Sequence, residues 1–199
     1  MKYACFAPDA PMLQVVDHSK GEPDSNEVCR NMYKESARIA RGKILPLHEL
    51  HVDNFDALII PGGFGIAKNF SNFVDKGYEM NVIPSVKRVM CDFHDCNKPI
   101  ACICIAPIIA ASIFRDDVAV TVGGSNDDSV VWPFHGTAHA VEAMGAKHID
   151  TTLQQVCIDR KSNVLSCPAY MCGTAKPHQV HENIGMLVSA LRDQILHSL

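Results

Sequence analysis

The sequence predicts an α/β protein whose mostly parallel sheet is covered by helices on both faces. Three observations carry that expectation. Apolar, strand-like runs alternate with segments of helical period along the chain. Several runs, "ALII" and "IACI" among them, are continuously apolar, as strands buried on both faces are. The 199 residues are 47% hydrophobic and 20% charged, enough for one core-bearing domain over residues 1–199.

The elements follow in order. Residues 2–6 form a short apolar strand stopped by Pro8-Asp9, and "DHSKGEPDS" (17–25) is a polar loop. Residues 26–41 read as a helix ended by Gly42, with Val28, Met32, Ala37 and Ile39 facing inward. A short strand at 44–47 precedes a buried one at 55–60, "FDALII", which runs into "PGGFG" (61–65). Residues 84–97 are helical, with Val86, Val89, Met90 and Phe93 at core spacing. Residues 99–103 form the next strand, 107–114 a short helix and 118–122 another strand. A polar loop at 123–136 holds the one tryptophan, and a helix at 137–144 is closed by Gly145. Strands at 156–159 and 163–166 flank a turn, and residues 176–196 are the last helix, with Pro177 early in it. Repeats, low-complexity tracts and linkers are absent from this sequence.

Net charge is −4 with no basic stripe, so no nucleic-acid partner is expected. The longest apolar stretch, 100–114, holds Pro107 and falls short of the roughly 20 residues of a membrane span, so it is core and no membrane partner is expected. Neither a secretory signal nor a transit segment opens the sequence, and nine cysteines, an odd number, predict free thiols in a reducing compartment.

Ligands of open α/β sheets bind beyond the carboxyl ends of the strands, where two loops stand out. Cys104 lies where "IACI" gives way to a helix that Pro107 can open. No Ser, Thr, Asp or Asn caps that helix, so its first N–H groups are free for an anion, and its dipole favours a thiolate at Cys104. Strand–turn–helix with an exposed nucleophile is the logic of the nucleophile elbow, although Cys102 and Ala106 stand where the usual flanking glycines would be. The alternative is that Cys102 and Cys104 are small core residues. The Gly62-Gly63-Phe64-Gly65 loop permits close backbone approach and can complete an oxyanion hole, or it is simply a tight turn. Neither a Walker pattern nor Gly-x-Gly-x-x-Gly is present, and no cofactor is expected. Cys91, His94 and Cys96, with Cys167 and Cys172, lack zinc spacing, and His135, His139 and His148 are scattered, so no metal is expected.

"PGGFGIAKNFSNF" (61–73) and "CIAP" (104–107) together resemble the PfpI and protein-deglycase superfamily of class I glutamine amidotransferase-like proteins, in its bacterial ElbB and animal mitochondrial ES-type branches. "CFAPD", "ESARIARGKI", "VTVG", "GTAHA", "MGAKH" and "PAYMC" support this, and the likeness runs from near residue 3 to the end. The resemblance implies a flavodoxin-like three-layer sandwich, often dimeric, so a homodimer is expected. It implies Cys104 as the elbow cysteine, with oxyanion and substrate contacts at Gly62, Gly63 and Ile105. For activity it implies glyoxalase- or deglycase-type action on a small reactive carbonyl or early glycation adduct, and for location mitochondria, although this sequence carries no targeting segment and is cytoplasmic as it stands.

Two departures bear on activity. In the family a further strand and helix precede "CFAPD", and their connecting loop brings a glutamate to the elbow cysteine. That unit is not in this sequence, which reads as N-terminally truncated, and the strand would be a central one. The expectation is of a longer native protein. The resemblance implies a histidine after "VTVG", where this chain has Gly124; His135 in "WPFHGT", nearby in sequence, is a candidate base, or simply a loop histidine. Three functions follow: a cysteine-dependent enzyme, a redox sensor in which Cys104 oxidises without turnover, or a silent relative kept for its fold.

Overall fold

The computed structural model describes residues 1–17, 19–24 and 30–197. Among the described residues ten strands and six α-helices follow one another, joined by several short 3₁₀ turns. They are β1 (Cys5–Ala7), β2 (Val16–Asp17), β3 (Glu22–Pro23), α1 (Met32–Ile39), β4 (Ile44–Pro46), β5 (Leu58–Ile60), α2 (Phe73–Lys76), α3 (Pro84–Asp95) and β6 (Ile100–Ile103). After these come α4 (Pro107–Phe114), β7 (Ala119–Val120), α5 (Gly136–Ala143), β8 (Lys147–His148), β9 (Cys157–Asp159), β10 (Val164–Cys167) and α6 (Pro177–His197).

The centre is a four-stranded sheet in the order β5-β6-β10-β9, parallel except for the β9–β10 hairpin. Strand β6 explains the three-layer packing. Ile100 and Cys102 face a core built with Val86, Val89, Met90 and Phe93 of α3 and Ile108 and Ile109 of α4. Ala101 and Ile103 face the other way, onto Val180, Leu187 and Leu191 of α6. Both faces of β6 are therefore buried, which is why its sequence is apolar without alternation. Helix α3 and helix α4 follow the predicted segments closely, because period, proline starts and apolar faces agree there.

The parallel ribbon β1–β4 stands apart from the central sheet, and so does β7–β8. Side chains attach the second ribbon: the Thr121 N–H donates to Ser166 Oγ (2.8 Å) and the Ala119 N–H to Asp159 Oδ2 (2.8 Å). Phe6 of β1 meets Phe55 edge-on at 5.4 Å between ring centroids. Among the described residues β1 and β5 do not pair, and β5 is an edge strand of the central sheet.

Three expectations need correction. Residues 55–60 are not a strand buried throughout: β5 holds only three residues, and Ile59 is 40% exposed on a strand that, among the described residues, is the edge of its sheet. Helix α1 begins at Met32, where the Asn31 side chain accepts from the Lys34 N–H (3.0 Å), and residues 26–29 of the predicted helix, Val28 included, lie outside the described residues. Ile39 is 85% exposed: the ribbon under α1 is only two strands wide and leaves its last turn uncovered. Two short pairs, β2–β3 and β7–β8, include strands too brief for periodicity to reveal.

The edge position of β5 makes a test. Ile60→Ala, in the core, is expected to cost about 2–5 kcal/mol, whereas Ile59→Thr is expected to stay within about 0.5 kcal/mol of the parent. Urea denaturation of both variants checks this, and equal large losses would contradict an open edge.

Candidate active site

The β6–α4 connection is an elbow. Cys104 follows the last strand residue and has φ 61°, a left-handed conformation that costs a non-glycine residue about 1–3 kcal/mol. The surroundings hold it there. Its N–H donates to the Cys167 carbonyl (2.9 Å), continuing the β6–β10 ladder one residue further. The Ala106 N–H closes a turn onto the Ile103 carbonyl (3.1 Å), and Pro107 then opens α4.

The glycine loop lies against this elbow. A β-carbon on Gly62 would fall 2.4 Å from Cys104 Cβ and 2.6 Å from the Ile103 carbonyl oxygen, so only glycine fits. Gly63 has φ 107°, a second position that favours glycine. Behind the loop Phe64 meets Phe134 edge-on at 5.5 Å, and both rings are exposed, as is Tyr170.

The Cys104 thiol is half-buried, and the backbone N–H groups of Gly63, Ile105 and Tyr170 act on its sulfur, while the Met171 N–H beside them donates to the Pro168 carbonyl (2.9 Å). Burial pushes the thiol pKa up, and the N–H groups pull it back only in part. This differs from the expected net preference for thiolate: the loss of hydration outweighs the amide dipoles. Gly63 and Ile105 were expected as oxyanion donors; Tyr170 was not expected at the site. Its position follows Ala169, which has φ 45° without being a glycine, so no residue type flagged the turn. Cys102, by contrast, is fully buried core, its thiol pushed up to about 12 by burial and by neighbouring Cys167, itself pushed to about 12.

His135 has neighbours at both ring nitrogens. Its Nδ1 lies 3.1 Å from the Trp132 carbonyl and its Nε2 3.4 Å from Asp127 Oδ1, and neither a histidine nor a carboxylate ranks among the leading influences on the Cys104 thiol. At Gly124, where a histidine was expected in relatives, the indole of Trp132 fills the space: a β-carbon there would meet its Nε1 at 2.4 Å. A cavity of about 200 Å³ lined by Gly124, Trp132, Asp150, Thr151 and Gln155 lies beside that indole, and Cys104 is not among its lining residues. Among the described residues no group of three His, Cys, Asp or Glu side chains gathers as a metal site, and no helix is long and apolar enough to cross a membrane.

The chain is 48% identical over 183 residues to the Homo sapiens mitochondrial "glutamine amidotransferase-like class 1 domain-containing protein 3", covering 92% of this chain and 67% of that protein. It belongs to the glutamine amidotransferase-like class 1, ES1-type family. The Rattus norvegicus "ES1 protein homolog, mitochondrial" is likewise 48% identical over 183 residues, covering 92% of this chain and 68% of the relative. A solved structure from Ehrlichia chaffeensis, an "isoprenoid biosynthesis protein with amidotransferase-like domain", superposes with a TM-score of 0.81 at 33% identity, over 96% of this chain and 83% of that one. The ES1-type chain therefore has the amidotransferase-like, flavodoxin-type fold. No protein-family model matches it.

Two measurements test the packing around the elbow. Gly62→Ala must displace backbone, and a loss of about 1–3 kcal/mol is expected on chemical denaturation; an unchanged midpoint contradicts the close approach. The buried thiols of Cys102 and Cys167 keep their protons above 9.0, the ordinary value at which the unfolded chain loses its own. Stability carried by these thiols is thus complete below pH 9 and declines as pH rises toward 12, by about 1.4 kcal/mol per unit for each thiol. Denaturation midpoints at about pH 8 and about pH 10.5 read this, and Cys102→Ala should flatten the decline.

Proposed function

We propose that this ES1-type chain carries a cysteine-centred site for addition to reactive carbonyls, with Cys104 as nucleophile and glyoxalase- or deglycase-type chemistry on a small carbonyl or early glycation adduct. The observation that carries the reading is the elbow itself: a half-buried thiol at φ 61° beside the backbone N–H groups of Gly63, Ile105 and Tyr170. Addition forms a sulfur–carbon bond, opens the carbonyl π bond and moves the thiol proton to the carbonyl oxygen. As charge passes from sulfur to oxygen, N–H groups of Gly63 and Ile105 are suited to hold it. The exposed rings of Phe64, Phe134 and Tyr170 give the neighbouring surface an apolar character. The mitochondrial designation of the relatives is carried over as the proposed location.

Consumption of methylglyoxal by the purified chain and by Cys104→Ala tests the reading. The variant is expected to lose consumption entirely, and equal consumption sinks the enzyme. A second reading is oxidation of Cys104 to sulfenic or sulfinic acid without turnover. It is favoured by the engagement of His135 with Trp132 and Asp127, which leaves the sulfur with amide donors and no assigned base. Peroxide titration with mapping of each cysteine reads it: preferential modification of Cys104 without carbonyl turnover would replace the enzyme reading.

A further inference from the structure

Along α6 the side chains of Val180, Asn183, Leu187 and Leu191 form one stripe at helical spacing, all turned into the protein. Three are apolar. Asn183 is not, yet it is 0% exposed. Its carboxamide is fully engaged with backbone: Oδ1 accepts from the Ala169 N–H (3.0 Å) and Nδ2 donates to the Gln155 carbonyl (3.0 Å). Both partners have fixed roles, so the orientation of the amide is determined.

Ala169 is the residue with φ 45° that starts the turn carrying Tyr170 and Met171. It packs in the same cluster as Cys104, Cys167, Val180 and Leu187. The Cys167 carbonyl, two residues before Ala169, accepts the Cys104 N–H. One continuous path therefore runs from α6 through the 167–171 segment to the elbow. A leucine at 183 would continue the apolar stripe; the asparagine instead ties that strained turn to α6 and to residue 155.

We propose that Asn183 is a positioning residue for the Cys104 site: its carboxamide holds Ala169 in the left-handed region and so sets the Tyr170 N–H against the Cys104 sulfur. The inference rests on the reading of Cys104 as the reactive group and assigns one of its amide donors to a clamp on another helix.

The test is the pH profile of iodoacetamide alkylation at each cysteine, read by peptide mapping, in the parent, Asn183→Leu and Asn183→Ala. With the clamp removed, the Cys104 midpoint is expected to rise by about one unit. Its rate below the midpoint should fall about threefold, since tenfold less thiolate is partly offset by a more nucleophilic one. Cys91 and Cys96, outside the site, should not change. Adding Ala169→Gly to either variant should return part of the shift, because glycine adopts positive φ unaided. Two results overturn the proposal: an unchanged Cys104 profile in a folded variant, or equal acceleration at all cysteines, which marks general loosening. Two variants are read so that misfolding of one leaves the other. If parent Cys104 already reacts like Cys96, the reading of Cys104 itself fails, which is a different outcome from failure of the clamp.

Discussion

The left-handed backbone at Cys104 is the constraint on which the rest of the site depends. An L-residue avoids φ 61°, so the conformation persists only where neighbours over-determine it. On one side β6 is buried on both faces, and its ladder to β10 extends to the Cys104 N–H. On the other, α4 is apolar and buried over its first five residues, so the chain cannot relax by shifting the helix. Gly62 closes the third side at a distance that excludes any β-carbon. The sulfur is consequently directed to where amide groups of three separate segments converge.

Those amides and the burial act in opposite directions. A thiol taken from water resists ionisation, and N–H dipoles favour it. Here burial prevails, so Cys104 is held mainly protonated at neutral pH, unlike a cysteine activated by an adjacent histidine. The same amides stabilise charge wherever it moves next, on sulfur during ionisation or on oxygen during addition.

Much of this was legible in the residues, and the limits have physical causes. "IACI", "CIAP" and the α3 segment announced themselves because apolar runs and proline starts act locally, and they set the elbow, the glycine loop and the central parallel strands. Ile39 and Ile59 misled, because apolar type does not reveal whether a covering strand is present. Tyr170 contributes through its backbone N–H, which every residue but proline owns, and Ala169 reaches positive φ without the glycine that normally signals it. His135 lay near the right loop in sequence, yet its two nitrogens are directed to Trp132 and Asp127. Asn183 looked like an ordinary polar residue of a long helix; only its burial and its two backbone partners set it apart.

The convergence of amides on one sulfur is open to direct measurement. Backbone nitrogen chemical shifts, followed by carbon-detected NMR across the thiol titration, report charge appearing beside each amide. The nitrogens of Gly63, Ile105 and Tyr170 are predicted to move together, with one midpoint above that of an ordinary cysteine, and to stop moving in Cys104→Ser. Independent midpoints, or shifts that persist without the thiol, would contradict the account.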